Sequence, residues 1–303
     1  MTTSAPAPKT NGPKISGFTV IRNARLMGYP ILESIRSVLP LVDEFVIGLG
    51  QSDDDTREMV ASLKDPKIRI IDTIWDTKKT KGGLILSEKT NEALALCQHD
   101  WCFYIQADEV VHEDDLPVVR AAINEADRRP EIQGLLFHYI HFYGSYQTIA
   151  MSRRWYRNEV RVVRRSSGIQ SHNDAQGFRV PSSAGLLKPV VLRTVARIFH
   201  YGWVKPPKMM GQKSKLLNRL WHGNKRDHEF EQFEYARQYG LHAYNGPHPQ
   251  VMKSLVEAQD WKFDPRRALA DWTLKDVNLW ASDVLEKFTG YRIGEYRPYK
   301  LSK

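Results

Sequence analysis

The sequence predicts an α/β fold in which helices cover both faces of a mostly parallel, mixed sheet. In its N-terminal half, short apolar runs alternate with amphipathic segments, which is the pattern of βαβ units. The fourth apolar run ends in the polar segment 106–109, and strand ends carry the ligand-binding residues of such sheets. The alternation stops after residue 130, and a partly helical C-terminal part follows.

The predicted elements of the N-terminal half follow one another as strand and helix. The strands are four runs rich in apolar residues: 18–24, 43–50, 67–73 and 101–106. The helices have apolar residues at helical spacing: 29–40, 51–63, 84–97 and 112–126. Because strand, helix and strand repeat in order, the strands are expected to lie parallel.

Elements beyond residue 130 are less regular. Three further apolar or alternating runs predict strands at 134–144, 159–165 and 190–203. Helices are predicted at 209–221, 231–242 and 271–288. Pro, Thr and Ser dominate residues 1–14, which predicts a disordered tail.

Composition excludes some classes of protein and favours others. The chain has 303 residues, of which 42% are hydrophobic, and no apolar run reaches the roughly 18–20 residues that cross a bilayer. Its two cysteines, Cys97 and Cys102, form no disulfide framework, so a reducing, cytoplasmic setting is expected. The formal charge of +9, with basic clusters at 153–165 and 204–226, indicates an anionic partner.

Two stretches carry a resemblance to a known family. The segment "FTVIRNARLMGYPILESIRSVLPLVDEFVIGLGQSDDDT" and the later "WCFYIQADE" resemble the nucleotide-sugar-binding half of family 2 glycosyltransferases. These are inverting enzymes with the GT-A fold. The resemblance implies a GT-A domain over 15–203, with a donor half at about 15–115, an acceptor half at about 116–203, and a basic, aromatic-rich helical extension at 204–303.

The resemblance also implies a set of residues that bind the nucleotide sugar. These are Arg22, Asn23, Asp54, Lys81, Lys89, Asn91, Gln106, Ala107 and Asp108. The sequence departs from the family pattern twice. "GLG" stands where an acidic residue usually follows the second strand, and Gln106 replaces the first acid of the family's Asp-x-Asp motif.

A divalent ion, Mn²⁺ or Mg²⁺, is the cofactor that the resemblance implies. Such an ion neutralises the charge that develops on a nucleoside diphosphate leaving group. Asp108 is the principal expected ligand, with Glu109 beside it. His200 ends a later apolar run, and late histidines join the metal site in many enzymes of this fold.

Inverting transfer needs a base that accepts the proton of the acceptor hydroxyl. The polar loop 170–179 supplies Asp174 as the expected base, with His172 as the alternative. His138 and His141 lie three residues apart on a predicted strand and therefore face opposite sides, so one of them is expected to reach the crevice.

The expected partners are a nucleotide-diphosphate sugar and a glycan or lipid-linked acceptor, as in the biosynthesis of polysaccharides or lipopolysaccharides. The basic clusters favour peripheral contact with an anionic membrane at its inner face. Two alternatives are a basic nucleic-acid-binding protein and a sugar nucleotidyltransferase on a similar core. The sequence has neither a nucleic-acid-binding signature nor a Gly-rich loop after the first strand.

Overall fold

The computed structural model describes residues 12–76, 82–222, 233–236, 238–266 and 273–303. Most of the predicted tail at 1–14 therefore lies outside the described residues. No helix of the described chain is long and apolar enough to cross a membrane.

The N-terminal half confirms the predicted alternation of strands and helices. Its elements are β1 (Ile15–Ile21), α1 (Ile31–Val38), β2 (Glu44–Gly50), α2 (Thr56–Ala61), β3 (Ile68–Thr73), α3 (Leu84–Ala95), β4 (Trp101–Tyr104), β5 (Glu109–Val111) and α4 (Leu116–Asp127). The short strand β5 was not predicted. It directly follows the acidic end of β4, so residues 105–108 form the turn between the two strands.

The second half contains the three predicted strands and several shorter ones. Its elements are β6 (Gly134–Tyr143), β7 (Ser145–Ala150), β8 (Asn158–Arg164), β9 (Gln170–His172), β10 (Gly177–Ser182), β11 (Gly185–Leu187), β12 (Val190–Trp203), α5 (Pro207–His222), β13 (Leu241–Ala243), α6 (Lys253–Glu257), α7 (Leu274–Thr289) and β14 (Lys300–Leu301).

The prediction of a helix at 231–242 is wrong for the residues that the structure describes. Residues 233–236 are not helical, and Leu241–Ala243 form β13. Gly240, with a φ of +82°, turns the chain just before this strand. The strand pairs with β7, and this non-local pairing outweighs the local helical pattern.

The main sheet is mixed and is flanked by helices. Its order is β13-β7-β6-β8-β4-β1-β2-β3, with β12 paired to β5, β6 and β14. Strands β1 to β4 form a parallel unit in the order β3-β2-β1-β4, and the antiparallel β8 follows at β4. Strands β9 to β11 form a separate small sheet. The predicted α/β class and GT-A-like layering are confirmed.

Helices bury their apolar stripes on both faces of the parallel unit. On one face, α1 contributes Ile31, Ile35 and Val38 to the larger core cluster. On the other, α3 contributes Ala93 and Leu94 to a second cluster. Burial of a large aliphatic side chain contributes about 1.5–3 kcal/mol. The two clusters therefore stabilise the packing of helices on both faces of the sheet.

Candidate active site

A cavity of about 640 Å³ opens at the carboxyl ends of β1 and β4 and beside the end of β12. This is the position at which open α/β sheets bind ligands. Among the predicted site residues, the following line its wall: Arg22, Asn23, Gln106, Ala107, Asp108, Asp174 and His200. These residues come from four separate parts of the chain, and the fold brings them together at one cavity.

The end of β1 is shaped by the backbone of Asn23. This residue has a φ of +56°, which asparagine tolerates better than most residues. Its side chain accepts from the Asp53 backbone N–H at 2.7 Å and donates to the Asp53 carboxylate at 3.0 Å. Arg22 donates to the same carboxylate at 3.0 Å. Asp53 thus fixes both Arg22 and Asn23 at the cavity wall.

Three predicted donor-binding residues lie outside the cavity lining. Asp54 accepts from the backbone N–H groups of Leu26 and Thr56, at 2.9 and 3.1 Å, and braces the turn. Asn91 donates to and accepts from the backbone of Ser171 and so tethers β9 to α3.

Lys89 pairs with Glu92 at 2.6 Å on α3 and does not line the cavity. Lys81 lies outside the described residues.

Asp108 is a buried carboxylate surrounded by cationic or basic groups. Its Oδ2 lies 3.1 Å from Lys213 Nζ and 3.8 Å from His200 Nε2. Burial acts to raise the pKa of Asp108, but Lys213, His200 and Lys205 together outweigh burial and hold it below its usual range. Asp108 is therefore ionised at neutral pH.

Two histidines on adjacent strands form a hydrogen-bonded chain that ends at Asp108. The Nε2 of His141 lies 2.7 Å from the carbonyl oxygen of Tyr156, so this nitrogen carries the proton and donates. Burial, reinforced by His200, lowers the pKa of His141 well below its ordinary value, so its ring is neutral.

The bare Nδ1 of His141 then accepts from His200 Nδ1, which lies 2.9 Å away. Burial also lowers the pKa of His200, although Asp108 and Glu109 oppose the shift. In the neutral ring of His200, Nε2 keeps its lone pair and faces Asp108. The expectation that one of His138 and His141 reaches the crevice is confirmed, because His141 lines it.

A glycine keeps the space between Asp108 and His200 open. A Cβ built on Gly202 would lie 2.6 Å from His200 Nε2 and 2.8 Å from Asp108 Oδ2. Both distances are too short for any carbon contact, so no other residue fits here without a shift. The glycine leaves a small gap between a carboxylate oxygen and an imidazole lone pair, which is a donor set suited to a divalent ion.

Glu109 faces away from this gap and forms a buried ion pair. Arg161 donates from Nε to Oε2 and from Nη2 to Oε1, each at 2.8 Å, and both side chains are fully buried. Tyr139 also donates to Oε1 at 2.7 Å. Both carboxylate oxygens are thus engaged within the protein. This geometry favours a structural role for Glu109 over the metal-binding role predicted from its place beside Asp108.

Gln106, which stands in place of an acid, holds the loop that carries Asp174. Its Nε2 donates to the carbonyl oxygen of Ala175 at 3.2 Å. Arg161 donates to the next carbonyl, that of Gln176, at 2.9 Å. Ala175 has a φ of +62°, which is strained for alanine, so these bonds fix an unfavourable turn.

Asp174 lines two cavities at once. One is the main cavity, and the other is an adjoining space of about 510 Å³ whose wall includes Arg179 and Tyr296. His172, the alternative base, lines only the second space. Asp174 therefore borders both compartments.

Two lysines of the site were not singled out from the sequence as site residues. Lys213 enters the cavity from α5, and Lys205 lies buried close by. They belong to the basic cluster 204–226, for which the sequence predicts contact with an anionic partner. A signal was present, since Lys213 is spaced three and four residues from Met210 and Leu217, on the apolar face of the helix.

Comparison with known proteins identifies the family. A family model described as glycosyl transferase family 2 matches residues 23–190. Glucosyl-3-phosphoglycerate synthase from Mycobacterium tuberculosis, solved with Mn²⁺, UDP and phosphoglyceric acid, is 21% identical over 43% of this chain and 44% of that chain, with a TM-score of 0.30. TarS residues 1–349 from S. aureus, in complex with UDP, are 13% identical over 67% and 64% of the two chains, with a TM-score of 0.39.

The chain thus spans less than half of the length of the synthase that it matches. Among curated proteins, no sequence matches.

Proposed function

Because the chain belongs to glycosyltransferase family 2, we propose that it moves a sugar from a nucleotide-diphosphate donor to an acceptor hydroxyl, with inversion at the anomeric carbon. One observation carries this proposal. Asp108 and His200 face a gap kept open by Gly202, and Asp174 lies on the wall of the same cavity. On this proposal, the site for the leaving group and the base for the acceptor border one compartment.

We assign the proposed Mn²⁺ or Mg²⁺ ion to the gap above Gly202, with Asp108 Oδ2 and His200 Nε2 as its protein ligands. Within the described ranges, no three His, Cys, Asp or Glu side chains cluster as a complete metal site. Two protein ligands suit an ion that is completed by phosphate and water oxygens. When bound, the ion neutralises charge on the departing diphosphate.

Asp174 is the proposed base. It accepts the proton of the acceptor hydroxyl while that oxygen forms a bond to the anomeric carbon and the bond to the donor phosphate breaks. Its place between the two cavities supports this role, with the donor in the main cavity and the acceptor in the second. His172 contacts the acceptor side alone, so we propose an acceptor-binding role for it.

The donor contacts are proposed from the cavity lining. Arg22, Asn23 and Ala107 line the wall at the ends of β1 and β4. We propose that they contact the nucleotide sugar. Asp54 and Asn91 support this wall indirectly, because each braces a segment beside it.

The proposed acceptor is a glycan or lipid-linked hydroxyl, reached at the inner face of a membrane from the cytoplasm. Helix α7 supports the membrane contact, because Leu274 and Phe288 on it are each 86% exposed and Val277 is 44% exposed. Apolar side chains beside basic ones are typical of peripheral membrane surfaces. Co-sedimentation with anionic liposomes should decrease in a Leu274→Ser, Phe288→Ser variant.

The test of the catalytic proposal is a panel of nucleotide sugars, each assayed for hydrolysis with Mn²⁺, with Mg²⁺ and with a chelator. The wild type should hydrolyse one donor faster with metal. Asp108→Ala should lose the metal-dependent part of the hydrolysis rate, which is a decrease of about 10²–10³-fold. Asp174→Asn should keep donor binding but lose transfer to an acceptor.

Asp260→Asn, an exposed aspartate remote from the cavity lining, serves as the matched control and should keep wild-type rates. Undiminished metal-dependent turnover by Asp108→Ala would contradict the assignment. Family membership sets aside the two alternative functions, a basic nucleic-acid-binding protein and a sugar nucleotidyltransferase.

A further inference from the structure

We propose that Lys213, backed by Lys205, forms an anion site for the diphosphate of the donor, so that helix α5 completes the donor site from outside the segment that matches the family. The inference rests on the proposed function and deepens it. The chemical class of the ligand is a diphosphate.

The first observation is the position of Lys213. Its side chain is 7% exposed, and Nζ donates to Asp108 Oδ2 at 3.1 Å and to the carbonyl oxygen of Gly202 at 2.7 Å. These are the same carboxylate oxygen and the same glycine that border the proposed metal gap. An ammonium on a flexible stem can turn from one oxygen anion to another within a small radius. Lys213 is thus placed to contact an anion that enters beside Asp108.

The second observation is Lys205, which is only 2% exposed. Its Nζ has no hydrogen-bond partner within the described chain and lies 5.4 Å from the ring centroid of Tyr29. Lys213 Nζ lies over the same ring at 4.7 Å. A buried amine without a hydrogen-bonding partner costs free energy unless a ligand satisfies it.

Two lysines lie beside one carboxylate, Asp108, and the nearby Glu109 is already paired with Arg161. Burial, reinforced by Lys213, lowers the pKa of Lys205 well below its ordinary value, although Asp108 opposes the shift. A diphosphate beside these two amines would add negative charge, which favours their protonated, hydrogen-bond-donating form.

The decisive experiment measures the binding of inorganic pyrophosphate by calorimetry in the presence of a chelator, so that no metal contributes. Lys213→Met should weaken binding by at least about tenfold, the effect of losing one charged hydrogen bond. Asp108→Asn should have the opposite effect and strengthen binding by about tenfold, because it removes a repelling carboxylate and frees Lys213. A role restricted to pairing Asp108 predicts no gain in Asp108→Asn.

Folding is controlled by the double variant Asp108→Asn, Lys213→Met, which removes both charges and leaves no isolated buried ion. It should melt near the wild-type temperature and should lose the gain seen in Asp108→Asn. Lys208→Met is the matched helix control, since Lys208 is exposed on α5, and it should bind as the wild type does. Wild-type affinity in both Lys213→Met and the double variant would overturn the proposal.

A second probe distinguishes a phosphate group on the acceptor from the diphosphate of the donor. Glycerol 3-phosphate, a monoester, represents a phosphorylated acceptor, and pyrophosphate represents the donor. The proposal requires that Lys213→Met weaken pyrophosphate binding more than glycerol phosphate binding; the reverse order would overturn it. Metal-dependent donor hydrolysis is a separate readout, so wild-type hydrolysis with unchanged pyrophosphate binding in Lys213→Met would refute this inference while leaving the proposed function in place.

Discussion

At the residue scale, Gly202 determines whether Asp108 and His200 can share one ligand. The φ of this glycine is not in the left-handed region, so the backbone would accept alanine. The added methyl group would nevertheless fill the gap between the two donor atoms. Space, and not backbone freedom, is therefore the reason for a glycine at this position.

Gly202→Ala should consequently reduce Mn²⁺ affinity by about 10–100-fold, the range seen when the surroundings of a metal site are disturbed. The affinity can be measured by electron paramagnetic resonance of free Mn²⁺, with a nucleoside diphosphate present. The melting temperature should change little, because only side-chain tips must move. Unchanged Mn²⁺ binding in a folded variant would show that the ion lies elsewhere.

Gln106 offers a second test at this scale, because restoring the acid is expected to lower turnover. Gln106→Asp would restore the family's acidic motif, yet we expect it to decrease turnover by about tenfold. It loses the amide that donates to Ala175 and places a carboxylate near a carbonyl oxygen. Steady-state kinetics should show the decrease in kcat, with Mn²⁺ affinity unchanged.

Gln106→Ala is the matched variant, because it removes the donor without adding charge. It should lower kcat less than Gln106→Asp does. Higher turnover and tighter Mn²⁺ binding in Gln106→Asp would indicate that residue 106 faces the ion.

At the scale of elements, the buried pair Glu109–Arg161 joins β5 to β8 and, through Gln176, to the loop that carries Asp174. The pair connects the donor side of the sheet to the acceptor side. Burying two charges is favourable only when every hydrogen bond is made, and Tyr139 and the backbone complete this network.

Removing one partner of this pair leaves an isolated buried charge. Arg161→Met should therefore lower the free energy of unfolding by about 3–5 kcal/mol. Glu109→Gln should lower the free energy of unfolding by a smaller amount. The double variant should lose less free energy of unfolding than the two single variants lose when their losses are added. Urea unfolding of the four proteins completes the cycle, and additive losses would contradict the direct coupling.

The sequence predicted elements better than it predicted contacts between them. The strands were visible because apolar runs such as 18–24 and 101–106 end sharply in polar residues. Glu109 was predicted at the metal because it is adjacent to Asp108, but successive residues of an extended chain face opposite sides. Lys213 meets Asp108 across 105 positions, and no local pattern reports a contact of that range.

At the scale of the whole molecule, the C-terminal extension is joined to the main sheet. β14 pairs with the start of β12, and Arg157 forms a bidentate ion pair with Glu286 on α7. The boundary at residue 203 stays a prediction of sequence organisation. The sheet itself continues across that boundary, because β13 pairs with β7. Local sequence patterns do not predict pairing between strands that lie far apart in the chain.

One buried acid should contribute to the pH dependence of stability. Burial, opposed by Arg161 and Gln176, raises the pKa of Glu159 to about 7. The folded protein therefore holds this proton more tightly than the unfolded chain does. The stabilisation is complete below the unfolded pKa, near 4.5, and is lost as the pH rises through 7.

Glutamine at position 159 does not titrate. The free energy of unfolding of Glu159→Gln, relative to that of the wild type, should therefore increase between pH 5 and pH 8, by up to about 3 kcal/mol. Urea unfolding at both pH values gives the difference. Glu257→Gln, at an exposed position, is the control and should show no such trend. A difference independent of pH would mean that Glu159 does not titrate in this range.

The contact between Lys213 and Asp108 also has a kinetic consequence. While the ammonium contacts the carboxylate oxygen, a free divalent ion at the proposed site would have to displace it, with Asp108 and His200 as its protein ligands. A metal already bound to the donor would bring the diphosphate that we propose as the new partner of Lys213. On the proposed function, substrate and ion would therefore enter together.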